Sequence, residues 1–380
     1  MIVRLVTTCA LLLALSACSH IHTKVLARDG LEGRNNGSAG SVAAQNHIIA
    51  LFEYLGVDGL SAGSGGDAYK QVFSNGTNVI GMIPGTDLAD EYVIIGAHYD
   101  HIAFCSSATL GDTICNGATD NAAGVGAALD LALYFVQPGN EPRRSVVFAL
   151  WDREEDGLLG SLHYIANPLV PLSDTVAYIN YDILGSNLLP SLRNVSIAVG
   201  AETGGAALVD AVEAAAATQP LDINQFSAVF GQNRSDYANF VAAGIPTVFF
   251  TDSTGPCYHT SGDDPSVVDY EKLIRQTLIS LELAKELASG QLTPVFDSGA
   301  PLATYGDAQS LNNLIQLALV DISRFTPAQQ ANITGWASTM AAIVAAGEAG
   351  FDAGDVSTML GIALQVVSLL ATGECDGFLE

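Results

Sequence analysis

Six short runs rich in β-branched and aromatic residues, NVIGMIP, YVIIGA, SVVFALW, VAYINYD, NVSIAVG and PTVFF, recur along the chain. Ala-rich segments of helical spacing separate them, near 119–136, 203–217, 235–243 and 267–288. A strand that is apolar on consecutive residues is buried on both faces, and a parallel sheet covered by helices on each side provides that burial. The pattern predicts an α/β domain over residues 24–294, entered through a polar loop and an amphipathic helix in LARDGLEGRNNGSAGSVAAQNHIIALFEYLG. Beyond residue 294 strand patterns stop. Helical periodicity near 306–323, 327–347 and 354–371, with Thr326-Pro327 and Asp355 as start signals, predicts a helical extension over 300–380. The last of these helices is apolar, and packing against the main domain is expected of it in preference to membrane contact.

Charge narrows the function. With 14 Lys+Arg against 40 Asp+Glu, a net charge of −26, the chain has no basic stripe. That excludes nucleic acid and electrostatic docking on anionic lipid as partners. Arg4 precedes the apolar run VTTCALLLALSA, which is too short for a comfortable membrane span and fits an export signal over residues 1–17. It ends in Leu15-Ser16-Ala17-Cys18, which resembles the bacterial lipobox. The expectation is a cell-envelope lipoprotein, periplasm-facing or in the outer membrane, acylated at Cys18; an ordinary signal cleavage would instead give a secreted protein. Cys105, Cys115, Cys257 and Cys375 remain for an oxidising compartment. Three pairings are open. Cys105 and Cys115 bracket a polar loop and are the first choice, which leaves Cys257 with Cys375.

In open α/β sheets ligands bind outside the carboxyl ends of the strands. Those ends hold most of the residues able to do chemistry. YVIIGA leads into His98-Tyr99-Asp100-His101, and SVVFALW into Asp152-Arg153-Glu154-Glu155-Asp156. VAYINYD ends in Asp182, PTVFF leads to Asp252 and then Tyr258-His259, and Asp120 opens the segment DNAAGVGAALDLA. Taken singly, each has a plain reading: Asp120 as a helix cap, Glu154 and Glu155 as a solvated turn, His259 as a loop histidine. A lone carboxylate closing a buried strand, as at Asp182, is costly. Histidines and carboxylates gathered at one sheet edge are the ligand set of a hydrolytic zinc-type site, with enough donors for two metals if one carboxylate bridges. Adjacent Glu154 and Glu155 then divide into a general base and a ligand.

The ordered set AHYDH, NGATDNAAGVGAAL, REEDGLLGS, INYDILG and YHTSGDD resembles metallopeptidase family 28, the co-catalytic di-zinc exopeptidases. The resemblance runs from about residue 25 to 290. It implies a three-layer α/β/α sandwich with a mixed, largely parallel central sheet. It also implies one zinc held by Asp120, Glu155 and His259 and a second by His98, Asp120 and Asp182. Glu154 matches the family's general base, Asp100 the carboxylate that orients His98, and a cis peptide is implied at Asp120–Asn121. Tyr237 stands where many members carry histidine, so the pocket residues Asp236, Tyr237 and Tyr258 are the least determined. The implied activity is aminopeptidase action on peptides. The alternatives are a glutaminyl cyclase on the same scaffold and a non-catalytic, receptor-like scaffold.

Overall fold

The computed structural model describes residues 19–105, 111–373 and 375–379. Cys18 and the expected export signal lie outside the described residues. Among the described residues nine strands form one sheet: β1 (Asp58–Gly59), β2 (Lys70–Phe73), β3 (Gly76–Ile83), β4 (Leu88–His98), β5 (Arg144–Trp151), β6 (Thr175–Tyr181), β7 (Val195–Val199), β8 (Asp222–Phe226) and β9 (Thr247–Thr251). Their spatial order is β1-β3-β5-β4-β6-β9-β7-β8, with β2 paired to β3. The central strands β5, β4, β6 and β9 are mutually parallel, while β3 joins β5 and β7 joins β9 antiparallel. The sheet is therefore mixed with a parallel centre.

The helices are α1 (19–26), α2 (Ala39–Leu55), α3 (Ala123–Phe135), α4 (Leu159–Ala166), α5 (Gly205–Ala216), α6 (Tyr237–Ala242) and α7 (Tyr270–Ser289), followed by α8 (Tyr305–Ala318), α9 (Pro327–Ala346) and α10 (Ala353–Leu370). Side chains alternate across a strand, so β4 serves two cores at once. Val93, Ile95 and Ala97 pack with α2, α3, α5 and α7, while Ile94 packs into the opposite core with α4 and α6. Residues of α8, α9 and α10 belong to that second core, including Leu311, Met340 and Met359. The result is the three-layer sandwich, with the C-terminal helices completing one outer layer.

Two expectations about the tail are adjusted. Thr326 caps α9 with Pro327 at its first position, as expected, but α10 starts earlier: Asp352 is its cap and Asp355 is the third residue of the reciprocal capping box. Only Met359, Ile362 and Leu370 of α10 are buried, so packing against the domain covers one stripe of the helix. By length and composition alone α10 is also long and apolar enough to cross a membrane. Both disulfides match the first-choice pairing, Cys105–Cys115 and Cys257–Cys375.

Candidate metal centre

The site follows from strand register. His98 of β4 stands opposite Trp151 of β5, and Ala97 stands opposite Tyr181 of β6. The three strands thus end at one level, and the next residues, Asp182 and the Asp152–Asp156 turn, emerge beside His98. The Asp182 amide donates to Phe250 O at 3.3 Å, which draws the end of β9 into the same edge. The fourth contributor is the loop before α3. There Asp120 is not the helix cap: Asn121 Oδ1 accepts from Gly124 N at 3.1 Å, and Asn121 Nδ2 donates to Tyr181 O at 2.8 Å. The Asp120–Asn121 peptide is cis.

All five expected ligand residues converge. His98 Nε2 lies 3.2 Å from Asp120 Oδ1 and 3.3 Å from Asp182 Oδ1. His259 Nε2 lies 3.3 Å from Asp120 Oδ2 and 3.0 Å from Glu155 Oε2. The two oxygens of Asp120 therefore face two different sets. Two ligand atoms each ~2.0–2.1 Å from a tetrahedral zinc lie roughly 3.3 Å apart, so these N···O separations are the edges expected of a metal's coordination shell. Asp120 Oδ2 and His259 Nε2 are also buried without a hydrogen-bond partner, which a cation between them would remedy. The residues present fit the group.

The electrostatics make the same demand. Burial pulls the His98 imidazole down, but Asp182, Glu154, Asp100 and Asp120 hold it well above the ordinary histidine value. At His259 burial is again outweighed, and Asp120 and Glu155 push the imidazole up to about 10. Burial opposes ionisation of Asp120, yet His101, His259 and His98 keep it well below the usual carboxylate range. Both imidazoles are drawn toward positive charge by the carboxylates, a need that divalent cations also meet. Glu154 differs. Burial first, then Asp182, Asp236 and Glu155, hold its carboxyl well above its usual value, with His98 pulling the other way.

Supporting residues refine the expected roles. Asp100 does not reach His98 chiefly by its carboxylate, which lies 3.6 Å from Nδ1; the Asp100 carbonyl is closer, accepting from Nδ1 at 3.1 Å. The carboxylate instead accepts the amides of Glu154 at 3.2 Å and Glu155 at 3.3 Å, fixing the turn that aims both glutamates. Asp263 braces the Asp120 loop by accepting from Thr119 N and Oγ1 at 2.8 Å and from Asp120 N at 3.0 Å. Arg34, fully buried, donates to the carbonyls of Leu26, Tyr99, Asn116 and Gly117 and sets a cation behind the acidic cluster. The expected pocket trio separates: Tyr258 lines the cleft, but Asp236 and Tyr237 do not. Both are fully buried, Asp236 hydrogen-bonded to Ser161 and the Tyr237 hydroxyl to Ala228 O, because α6 packs them into the core beneath the cleft.

His101, which closes the motif AHYDH and stands among the strand-end residues, has no role assigned from the sequence. Its Nδ1 lies 2.6 Å from Glu155 Oε1 and 3.8 Å from Asp120 Oδ2, and a carboxylate only accepts, so Nδ1 donates to Glu155. Burial and the charge of Asp120 raise Glu155, but the His101 hydrogen bond and the His259 imidazole 3.0 Å away outweigh them and hold its carboxyl below the usual value. His101→Phe retains a planar ring and removes that donor. The expected result is a roughly 10–100-fold loss of metal affinity, measured by competition with a chromogenic chelator. Unchanged affinity would reduce His101 to a packing residue.

Residues 78–284 match the profile of peptidase family M28. A probable glutamate carboxypeptidase of Arabidopsis thaliana is 28% identical over 255 residues, covering 62% of this chain and 35% of that one. The chain thus spans well under half the length of this curated relative. Among solved structures, a Zn-dependent exopeptidase from Parabacteroides distasonis superposes with a TM-score of 0.58 at 18% identity, covering 71% of this chain and 97% of that one. A glutaminyl cyclase from Porphyromonas gingivalis gives 0.59 at 18% identity, covering 71% and 98%. At this identity the structural likenesses establish the fold alone.

Proposed function

Because the chain belongs to peptidase family M28, we propose that it is a zinc-dependent exopeptidase that releases the N-terminal residue of peptides. The observation that carries this reading is the placement of Asp120, whose two oxygens face two complete sets of donors. His98, Asp182 and Asp120 Oδ1 would hold one zinc; His259, Glu155 and Asp120 Oδ2 would hold the other. When bound, the pair supplies a polarised scissile carbonyl and an acidified water. Glu154, beside both sets, takes the proton of the attacking water and returns it to the leaving amine. Asp100 holds the backbone of Glu154 and Glu155 so that base and ligand keep their separate directions.

The charge of the cleft supports a free amino end in the substrate. Among the described residues its lining includes Asp120, Glu154 and Asp182 and a single cation, Arg234. Asp120 and Asp182 would be offset by the cations they hold, so Glu154 is the lining carboxylate left to meet an α-ammonium. A glutaminyl cyclase using one zinc leaves half of the converging donors without a role. Incubation with leucine p-nitroanilide, and separately with a peptide bearing N-terminal glutamine, tests the choice alongside metal analysis. Hydrolysis of the anilide with two zinc per chain is expected. Ammonia release with one metal per chain would overturn the reading in favour of the cyclase.

A further inference from the structure

The family match ends at residue 284, yet the cleft does not. The cleft, about 130 Å³ in all, runs from Asp120, Glu154 and Asp182 to an apolar end; an apolar cavity of roughly 150 Å³ takes up benzene. Phe226 and Phe249 of the sheet line one side. The facing side comes from the tail: Leu314 of α8, and Val366 and Leu370 of α10. These tail residues also join the small core formed around Leu189 and Leu192, which fixes their position. Two tethers hold this wall against the site. Cys375, just past α10, is bonded to Cys257, two residues before His259. The Gly377 carbonyl accepts from Asn187 Nδ2 at 3.2 Å, in the loop that follows Asp182. Arg234 is exposed, its guanidinium 5.4 Å from the centre of the Tyr258 ring, and the remaining lining is mostly apolar, with Gln232, Thr251, Ser253 and Thr254 as uncharged polar members.

We propose that α8 and α10 form the specificity wall of this site, receiving a bulky aliphatic or aromatic side chain on the substrate's terminal residue. The inference rests on the exopeptidase reading for its substrate. Its occupant follows from continuity: a residue whose amine and carbonyl sit at the carboxylate end has its side chain as the group nearest the pocket. Apolar pockets of this kind separate substrates differing by one methylene by roughly 10–200-fold.

The test compares leucine, phenylalanine, alanine and glutamate p-nitroanilides on the zinc-loaded full chain. Val366→Phe fills the pocket and is expected to lower the leucine-to-alanine ratio of kcat/KM by roughly tenfold or more. Leu314→Ala enlarges it and is expected to move preference from leucine toward phenylalanine. Melting temperatures confirm that each variant is folded. Binding of L-leucine and L-alanine by calorimetry gives a second readout that needs no turnover. Unchanged ratios in both folded variants, or a wild type preferring glutamate, would overturn the wall. Absence of all turnover with a leucine binding preference that Val366→Phe abolishes would sink the exopeptidase reading and leave the wall standing.

Discussion

Replacing Glu154 with glutamine is expected to slow hydrolysis of leucine p-nitroanilide by roughly 10²–10⁴-fold while leaving the metal content unchanged. The side chain is 9% exposed and lines the cleft beside Asp120 and Asp182, but neither set of converging donors includes it. Glutamine preserves its shape and removes only the ability to take a proton. The turn should hold, because Asp100 secures it through the backbone amides at 154 and 155 and not through the Glu154 side chain. Burial holds the Glu154 carboxyl well above its ordinary value, so ionising it in the fold is unfavourable. The neutral amide removes that cost, and a melting temperature equal to or above the parent's is expected. Undiminished turnover would remove Glu154 from the mechanism; lost metal would make it a ligand.

Asp120→Ala is expected to abolish turnover and to empty both metal positions. Asp120 is the one residue common to the two clusters, with Oδ1 3.2 Å from His98 and Oδ2 3.3 Å from His259. His98→Ala, by contrast, removes a donor from one cluster and is expected to retain close to one zinc per chain. The loop survives the loss of the Asp120 side chain because Asp263 holds it through the Thr119 hydroxyl and the amides of residues 119 and 120. Circular dichroism should therefore match the parent while metal analysis does not. Two metals per chain in Asp120→Ala would break the shared-ligand arrangement on which the proposed function stands.

Much of this site is written locally. His98, Asp182 and the Glu154–Glu155 pair each follow an apolar run, and apolar runs are what a buried central strand requires, so the strand ends could be read without coordinates. The neighbouring strands were harder to find. The sequence DINQF of β8 carries Asp222, Asn224 and Gln225 on an edge strand where only Asn224 and Phe226 are buried, so it lacks the apolar run that makes a strand conspicuous. NVIGMIP reads as a strand, but nothing in it says that β3 runs antiparallel to β5, because apolar residues pack equally well in either direction. His101 escaped for another reason: its partner Glu155 is 54 positions away, and only the shared level of β4 and β5 brings the two together. The tail is similar. Periodicity says that α8 and α10 bury a face, and the sheet decides that part of this face borders the cleft.

The even ending of the central strands also governs which changes in chain length the site tolerates. His98 lies four residues beyond Ile94, on the side of the sheet that faces α4 and α6. Successive side chains of a strand point to opposite faces. Deleting one residue between these two would swing the imidazole through the sheet, toward α3 and α7 and away from Asp120. Indels in the outlying loops alter reach and shape, whereas a single-residue frame change inside β4, β5 or β6 reverses the direction of a site residue.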